Sequence, residues 1–294
     1  MKEDPQLKST SSGRVISGIR QSVVARKARL DALRPLPSEA LARLEHYYDV
    51  EITYTSNAIE GNTLSPVETT LVIEKGVTIA GKPLKDHLEA LDHYDAMRYL
   101  RELAASNSVF TESDIRNVHR LVMQRSQPEI AGSYANLRRY VRTESGRHEF
   151  PLPAEVPALM GDFVAWLRTV PTTPEEVFAA HRRLVEIHPF NDGNGRTARL
   201  VMNLVLIRGG YPPLAVRPED CVAYIRALRN HRRAKAAWIS KCCCSSGWMR
   251  LWESISAYLV RAPGRGSSRG ERRAPGLAGA SRRASKTRRW PLGE

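Results

Sequence analysis

The residues best equipped for chemistry lie in one run of twelve, His188-Pro-Phe-Asn-Asp-Gly-Asn-Gly-Arg-Thr-Ala-Arg199. Gly193 and Gly195 open backbone conformations closed to other residues, so amide N–H groups can converge on one point. The helix expected next turns its free N–H groups and positive dipole end toward the same point, a geometry that binds phosphate. Arg196 and Arg199 share a face of its first turns, and two guanidiniums there suit a polyphosphate through bidentate contacts. Asp192 is a hard oxygen ligand beside that anion site, suited to a Mg2+ that bridges phosphates. His188, at a helix end within reach of the same spot, can take a proton near neutral pH. Each feature alone has a plainer reading: a structural histidine, a turn, a solvated basic face. For all the plain readings to hold together within so short a run is improbable, so the run is read as a phosphate site with a base beside it.

Such a run needs a helix on either side. The hydrophobic spacing predicts helices over about 174–187 and 195–208, the second ended by Gly209-Gly210 and Tyr211-Pro212-Pro213. Upstream, Ser38 is read as the cap of a helix whose apolar positions Leu41, Leu44, Tyr48, Ile52 and Ile59 keep helical spacing, with Gly61-Asn62 as its stop. Pro66 opens a second helix. A long helix over about 84–104 carries the apolar stripe Leu84, Leu88, Leu91, Tyr94 and Leu100; further helices cover about 111–124 and 155–169, and another starts near Pro218. Between them, the alternation around Tyr140-Val141-Arg142 and the turn at Ser145-Gly146 mark a short β-hairpin. His87, Glu89 and His93 lack the His-Glu-x-x-His spacing and are not read as metal ligands; Asp92 and Asp95 are read as surface charges. The fold class is all-α with one hairpin.

The twelve-residue run resembles the core motif of the Fic family, HPFx[D/E]GNGRxxR, at every defined position. Its flanks agree, with LVMNLVLIRGGYPPL after it and AGSY…PLPAEVPALM before it, and the resemblance spans about 36–230. It implies the Fic fold, a helical domain with a flap hairpin at about Arg142–Phe150 that holds a target by strand pairing. The chain then divides into an N-terminal arm (1–35), a helical region with an inhibitory helix (36–110), a catalytic core (111–230) and a tail (231–294). The activity implied is protein adenylylation. Gly193, Asn194 and Gly195 cradle the phosphates of ATP, Asn194 near the α-phosphate; Asp192 holds Mg2+, and Arg196 and Arg199 bind the outer phosphates. His188 deprotonates a Tyr, Thr or Ser hydroxyl of an unknown target protein, AMP passes to it and pyrophosphate leaves. Tyr224 either lines the adenine pocket or is a core aromatic. An arginine often follows the flap's Gly-x-Tyr in relatives; here it is Ala135.

A second segment, Ser56-Asn-Ala-Ile-Glu60-Gly61, resembles the family's inhibitory motif, [S/T]xxxE[G/N]. By that resemblance Glu60 pairs with Arg199 and puts a carboxylate where the γ-phosphate must go, so the chain inhibits itself. Some relatives with this arrangement also remove AMP. De-AMPylation by the same site, an inactive nucleotide binder and a nucleic-acid-binding regulator all stay open at this stage, as does a homodimer.

Composition narrows the partners. The net charge of +14 is uneven: residues 231–294 hold 15 Lys/Arg and 3 Asp/Glu, leaving the body nearly neutral. That argues against nucleic acid as partner of the body. No run of about 18 apolar residues is present, so no membrane span is expected, and with no apolar leader near the start a cytoplasmic location is the default. Cys242, Cys243 and Cys244 are consecutive, which matches neither zinc nor disulfide spacing. Four of the five tryptophans fall in this tail. Codons read from the third base of each codon can turn Cys242–Ser256 into an amphipathic helix, so the tail is read as the product of a frameshift near Ala227–Asn230, and as disordered.

Overall fold

The computed structural model describes residues 21–106, 108–143 and 146–229. They form an all-helical bundle with one hairpin. In chain order the elements are α1 (21–32), α2 (Ser38–Ile59), α3 (Pro66–Lys75), α4 (Leu84–Ala105), α5 (Glu112–Met123), β1 (Tyr140–Thr143), β2 (Gly146–Glu149), α6 (Val156–Leu167), α7 (Pro174–Ile187), α8 (Asn194–Arg208) and α9 (Cys221–Arg229). Local sequence explains most of the boundaries. Ser65 and Glu68 make a reciprocal capping box that starts α3, and Thr111 and Asp114 make another that starts α5. Thr173 caps α7, followed by Pro174 in its first turn. Ser38 does not act as a cap: it is the first residue of α2, and Pro37 occupies the cap position without a side-chain hydrogen bond.

The main core joins α2, α4, α5, α6, α7 and α8 around Ile52, Met97, Leu100, Ile115, Met160, Leu184 and Leu200. A second cluster, with Phe178, Met202, Leu206, Val216 and Tyr224, seats α9 against α7 and α8. Part of the segment read as an arm belongs to this packing, since Val23 and Leu30 of α1 are buried in the two clusters. The expectations for the tail, its disorder and its frameshifted origin, lie outside the described residues.

At α4 the apolar stripe misleads. Leu84 is exposed and Leu88, Leu91 and Tyr94 are only half-buried, whereas the face turned inward carries Asp86, Glu89, Asp92, His93, Ala96, Met97 and Leu100. Those polar groups are buried because other elements satisfy them. Asp92, read as a surface charge, is wholly buried and accepts hydrogen bonds from the N–H groups of Arg125 and Ser126 and from the Arg125 guanidinium. It thereby fixes the turn after α5.

Candidate active site

α7 ends at His188, whose φ of 50° is left-handed and non-glycine, so the chain reverses there and the ring leaves the helix axis. Its Nδ1 lies 3.2 Å from the Val185 carbonyl, and because a carbonyl only accepts, Nδ1 carries the proton and Nε2 is left as the acceptor. One face of the ring stacks on Phe150 at 3.8 Å, with 11° between planes. Burial, and after it the charge of Arg139, push the His188 pKa down to about 4, against the Val185 carbonyl, Glu60 and Asp192, which raise it. The imidazole is therefore neutral at pH 7 and able to take a proton.

The loop after His188 is held by its own side chains. Asn194 closes it reciprocally: its Oδ1 accepts from Phe190 N–H at 2.9 Å and its Nδ2 donates to Phe190 C=O at 2.8 Å. The Asn194 side chain is thus a loop brace, and what it can offer an anion is its backbone N–H. Gly193 takes φ 71°, and a Cβ there would come 2.7 Å from Met123 Sδ. α8 begins at this point without a side-chain cap, so its first-turn N–H groups face the loop's concave side. Asp192 accepts from Gly193 N–H and from Gln127 Nε2, each at 2.7 Å. Burial pushes its pKa up, but those two hydrogen bonds, with Arg196 and Lys85, hold it below the usual carboxylate range. It is an anion with lone pairs to spare.

Arg199 is buried on α8 beneath the loop. Its Nε donates to Ser56 Oγ at 2.9 Å, and its Nη2 donates to Ser56 C=O at 3.0 Å and to Glu60 Oε1 at 2.6 Å. Burial opposes its charge, while Glu60 and Tyr224 more than restore it and raise its pKa. Gly195 leaves the space this pair needs, because a Cβ there would lie 2.3 Å from Glu60 Oε1. Glu60 itself is set by a pinned turn. Gly61 has φ 93°; Asn62 donates to Asp86 C=O and Glu89, and Thr63 donates twice to the Asp86 carboxylate. Arg196 is not beside Arg199's carboxylate but turns toward Glu89, with Nη1 at 3.1 Å. That is ion-pair range, off the line of a hydrogen bond. The second arginine is therefore linked to the same turn through Glu89. Tyr224 is in the second core cluster, its hydroxyl 2.9 Å from His181 Nε2.

Four site-shaping residues escaped the sequence reading. His119 is buried, accepts Gly132 N–H at Nδ1 and donates from Nε2 to Asp192 C=O, each at 3.0 Å, while stacking on Phe190 at 3.6 Å. It ties the flap's lead-in to the loop. Gln127 orients Asp192, Phe150 covers His188, and Arg139 clasps the flap base through Leu137 C=O and Pro151 C=O. The one available signal was His119 at helical spacing from Met123 on the apolar face of α5.

Burial also depresses His119 to about 4 and, with Arg199's charge, His93 and His181 to about 3. Folded pKa values below the unfolded one mean that, as pH falls from about 6.5 toward 4, the unfolded chain binds protons the folded chain refuses. Stability should fall over that window, by up to about 1.4 kcal/mol per pH unit for each histidine. Urea midpoints at pH 7 and pH 5 check this, with the lower midpoint expected at pH 5.

Known proteins resemble this chain in sequence and fold. The Fic/DOC family model matches residues 109–206, from the approach to α5 to the end of α8. A protein adenylyltransferase Fic of Nematostella vectensis is 38% identical over 218 residues, 70% of this chain and 48% of that protein. That of Aedes aegypti is 37% identical over 195 residues, 65% of this chain and 38% of that protein. The chain thus spans less than half the length of these curated relatives. The crystal structure of a Fic-domain signaling protein from Bacteroides thetaiotaomicron superposes with a TM-score of 0.72 at 27% identity, over 84% of this chain and all of that one. The chain therefore carries a Fic/DOC domain over residues 109–206, a span that holds both the loop and the hairpin.

Proposed function

We propose that the protein is an adenylyltransferase that moves AMP from ATP onto a hydroxyl of a target protein, and that Glu60 holds it off. The observation that carries this is the Glu60 carboxylate on Arg199, directly against Gly195 at the mouth of an anion-binding helix start. A carboxylate stands there in the position of a phosphate group, on the partner that a nucleotide's outer phosphate would need.

With Glu60 displaced, the phosphates would lie along the first turn of α8 and its N–H groups, with Arg199 on the outermost. Among the described residues no three metal-binding groups converge, but Asp192 is charged at pH 7 and oriented by Gln127, which fits a Mg2+ held by one carboxylate and the nucleotide's own oxygens. That ion would supply charge neutralisation on the phosphates. Tyr224, beneath Arg199, is read as a support for that arginine. His188 Nε2 takes the proton of the acceptor hydroxyl, the oxygen attacks the α-phosphorus, and the bond to the pyrophosphate oxygen breaks.

The test is the position of the label. Incubated with Mg2+, the Glu60→Gly protein should acquire radioactivity from ATP labelled at the α-phosphate and none from ATP labelled at the γ-phosphate. Transfer of the γ-label would make it a kinase instead, and a protein that binds ATP yet retains neither label has no transferase activity toward itself or the target supplied.

A further inference from the structure

The flap carries a charge pattern that bears on which proteins can be modified, given the adenylyl transfer proposed above. β1 and β2 pair with Tyr140 opposite Glu149, Val141 opposite His148 and Arg142 opposite Arg147. Side chains alternate between faces, so the contacts of one residue fix the rest. Phe150, continuing β2, stacks on His188, and His148 packs edge-on against Phe150 at 5.2 Å. Val141, His148 and Phe150 therefore belong to the face turned to the base. Tyr140, Arg142, Arg147 and Glu149 belong to the outer face.

On that outer face two arginines stand directly opposite each other, an arrangement that costs stability. Arg147 has compensation, since it lies over the Tyr140 ring at 3.7 Å and reaches Glu149 at 3.2 Å. Arg142 is exposed and, among the described residues, faces no carboxylate and no ring. Arg138, just ahead of the hairpin, is exposed as well. A two-stranded hairpin also leaves strand edges unpaired, where another extended segment can add.

Taking the target segment to pair with a strand edge of the flap, its acceptor hydroxyl toward His188, we propose that it carries acidic side chains at the odd-numbered positions on either side of that hydroxyl. Strand alternation supplies the parity. If the acceptor points to the inner face, its immediate neighbours and the residues three away point to the outer face, beside Arg142 and Arg147. Residues two away share the inner face with Val141 and His148, where the one arginine of that parity, Arg139, is buried and already donates to Leu137 C=O and Pro151 C=O. An acidic side chain at an odd position would relieve the opposition of the two arginines and complement Arg142.

Synthetic peptides with one central Tyr or Thr in a Gly/Ala background, free of any other hydroxyl, test this with the Glu60→Gly protein. One set carries glutamates at odd offsets, one glutamates at even offsets, one lysines at odd offsets. Fluorescence anisotropy reads binding, and α-labelled ATP reads transfer. The odd-glutamate set should bind and be labelled roughly tenfold better than the odd-lysine set and clearly better than the even-glutamate set, with the margin shrinking in high salt. In the Arg142→Glu variant the preference should invert toward lysine. Equal binding of all three sets, a preference for even positions, or no inversion would overturn the proposal. Odd-glutamate preference in binding without any labelling would keep the surface and reject adenylyl transfer; labelling without that preference would do the reverse.

Discussion

The Glu60→Gly protein should transfer AMP about a hundred to a thousand times faster than the unaltered chain. The Glu60 carboxylate lies 2.6 Å from Arg199 Nη2, where the outermost phosphate would have to bind in a productive pose. Two like charges about 4 Å apart cost about 4 kcal/mol at the effective dielectric of a protein surface, and each 1.4 kcal/mol or so is a factor of ten. Glu60 is partly open to water, its side chain 37% exposed, which trims that figure and sets the lower bound of the range. Glycine is the substitution of choice, because it removes the carboxylate and puts no side chain into the space beside Gly195. Arg199 keeps its two hydrogen bonds to Ser56, so the guanidinium stays in place for phosphate. Initial rates of label incorporation at saturating ATP compare the two proteins. Equal rates would mean that the pair is a structural salt bridge.

The Glu60–Arg199 pair was legible because it rests on residue type and spacing. Ser56 and Glu60 are one helical turn apart and so share a face, and Glu60 falls where a helix gives way to a glycine. The twelve-residue loop was legible for the same reason: glycines, arginines and a carboxylate at fixed offsets have few other uses. What stayed hidden depends on contacts made across the sequence. Asp92 has the composition of a surface charge, and only the turn at Arg125-Ser126, brought to it by the bend after α5, makes it a buried acceptor. α4 lies at the centre of the bundle, so packing against α2, α5 and α8 decides its inward face, and of the stripe that periodicity favours only Leu100 is turned inward, with Leu84, Leu88, Leu91 and Tyr94 left at the rim. His119 could not be told from any core histidine until Gly132 and Asp192 were seen on its two nitrogens. Arg196 shares a helix face with Arg199 as its spacing requires, yet Glu89 from α4 takes it in a different direction. Local rules find groups that act through their own neighbours in sequence, and miss those oriented by distant ones.

In the Glu60→Gly background, His188→Ala should lower the rate by about a hundredfold to ten thousandfold, the usual contribution of a general base, while leaving ATP affinity nearly unchanged. His188 hydrogen-bonds Val185 and stacks on Phe150 at the end of α7, whereas the Arg199 guanidinium is held by Ser56 and Glu60. Its loss should therefore appear in kcat and not in KM. The pH profile separates a base from a residue that merely fills space. An imidazole with an ordinary pKa near 6.5 would lose about half its neutral form at pH 6.5 and most of it by pH 5.5. His188, pushed down to about 4 chiefly by burial, keeps its neutral form through that range. Glu60 is one of the charges that raise this pKa, so replacing it with glycine lowers it further and moves the acid limb still lower. Between pH 8 and pH 5.5 the Glu60→Gly rate, measured per folded protein, should accordingly change less than about twofold on the acid side. Phe150→Ala, which opens the face of the ring to water, should bring the limb back toward pH 6. A profile that already falls through pH 6.5 in the Glu60→Gly protein would mean that the ring is solvated in the working enzyme, and that the flap lifts from His188 before the proton moves.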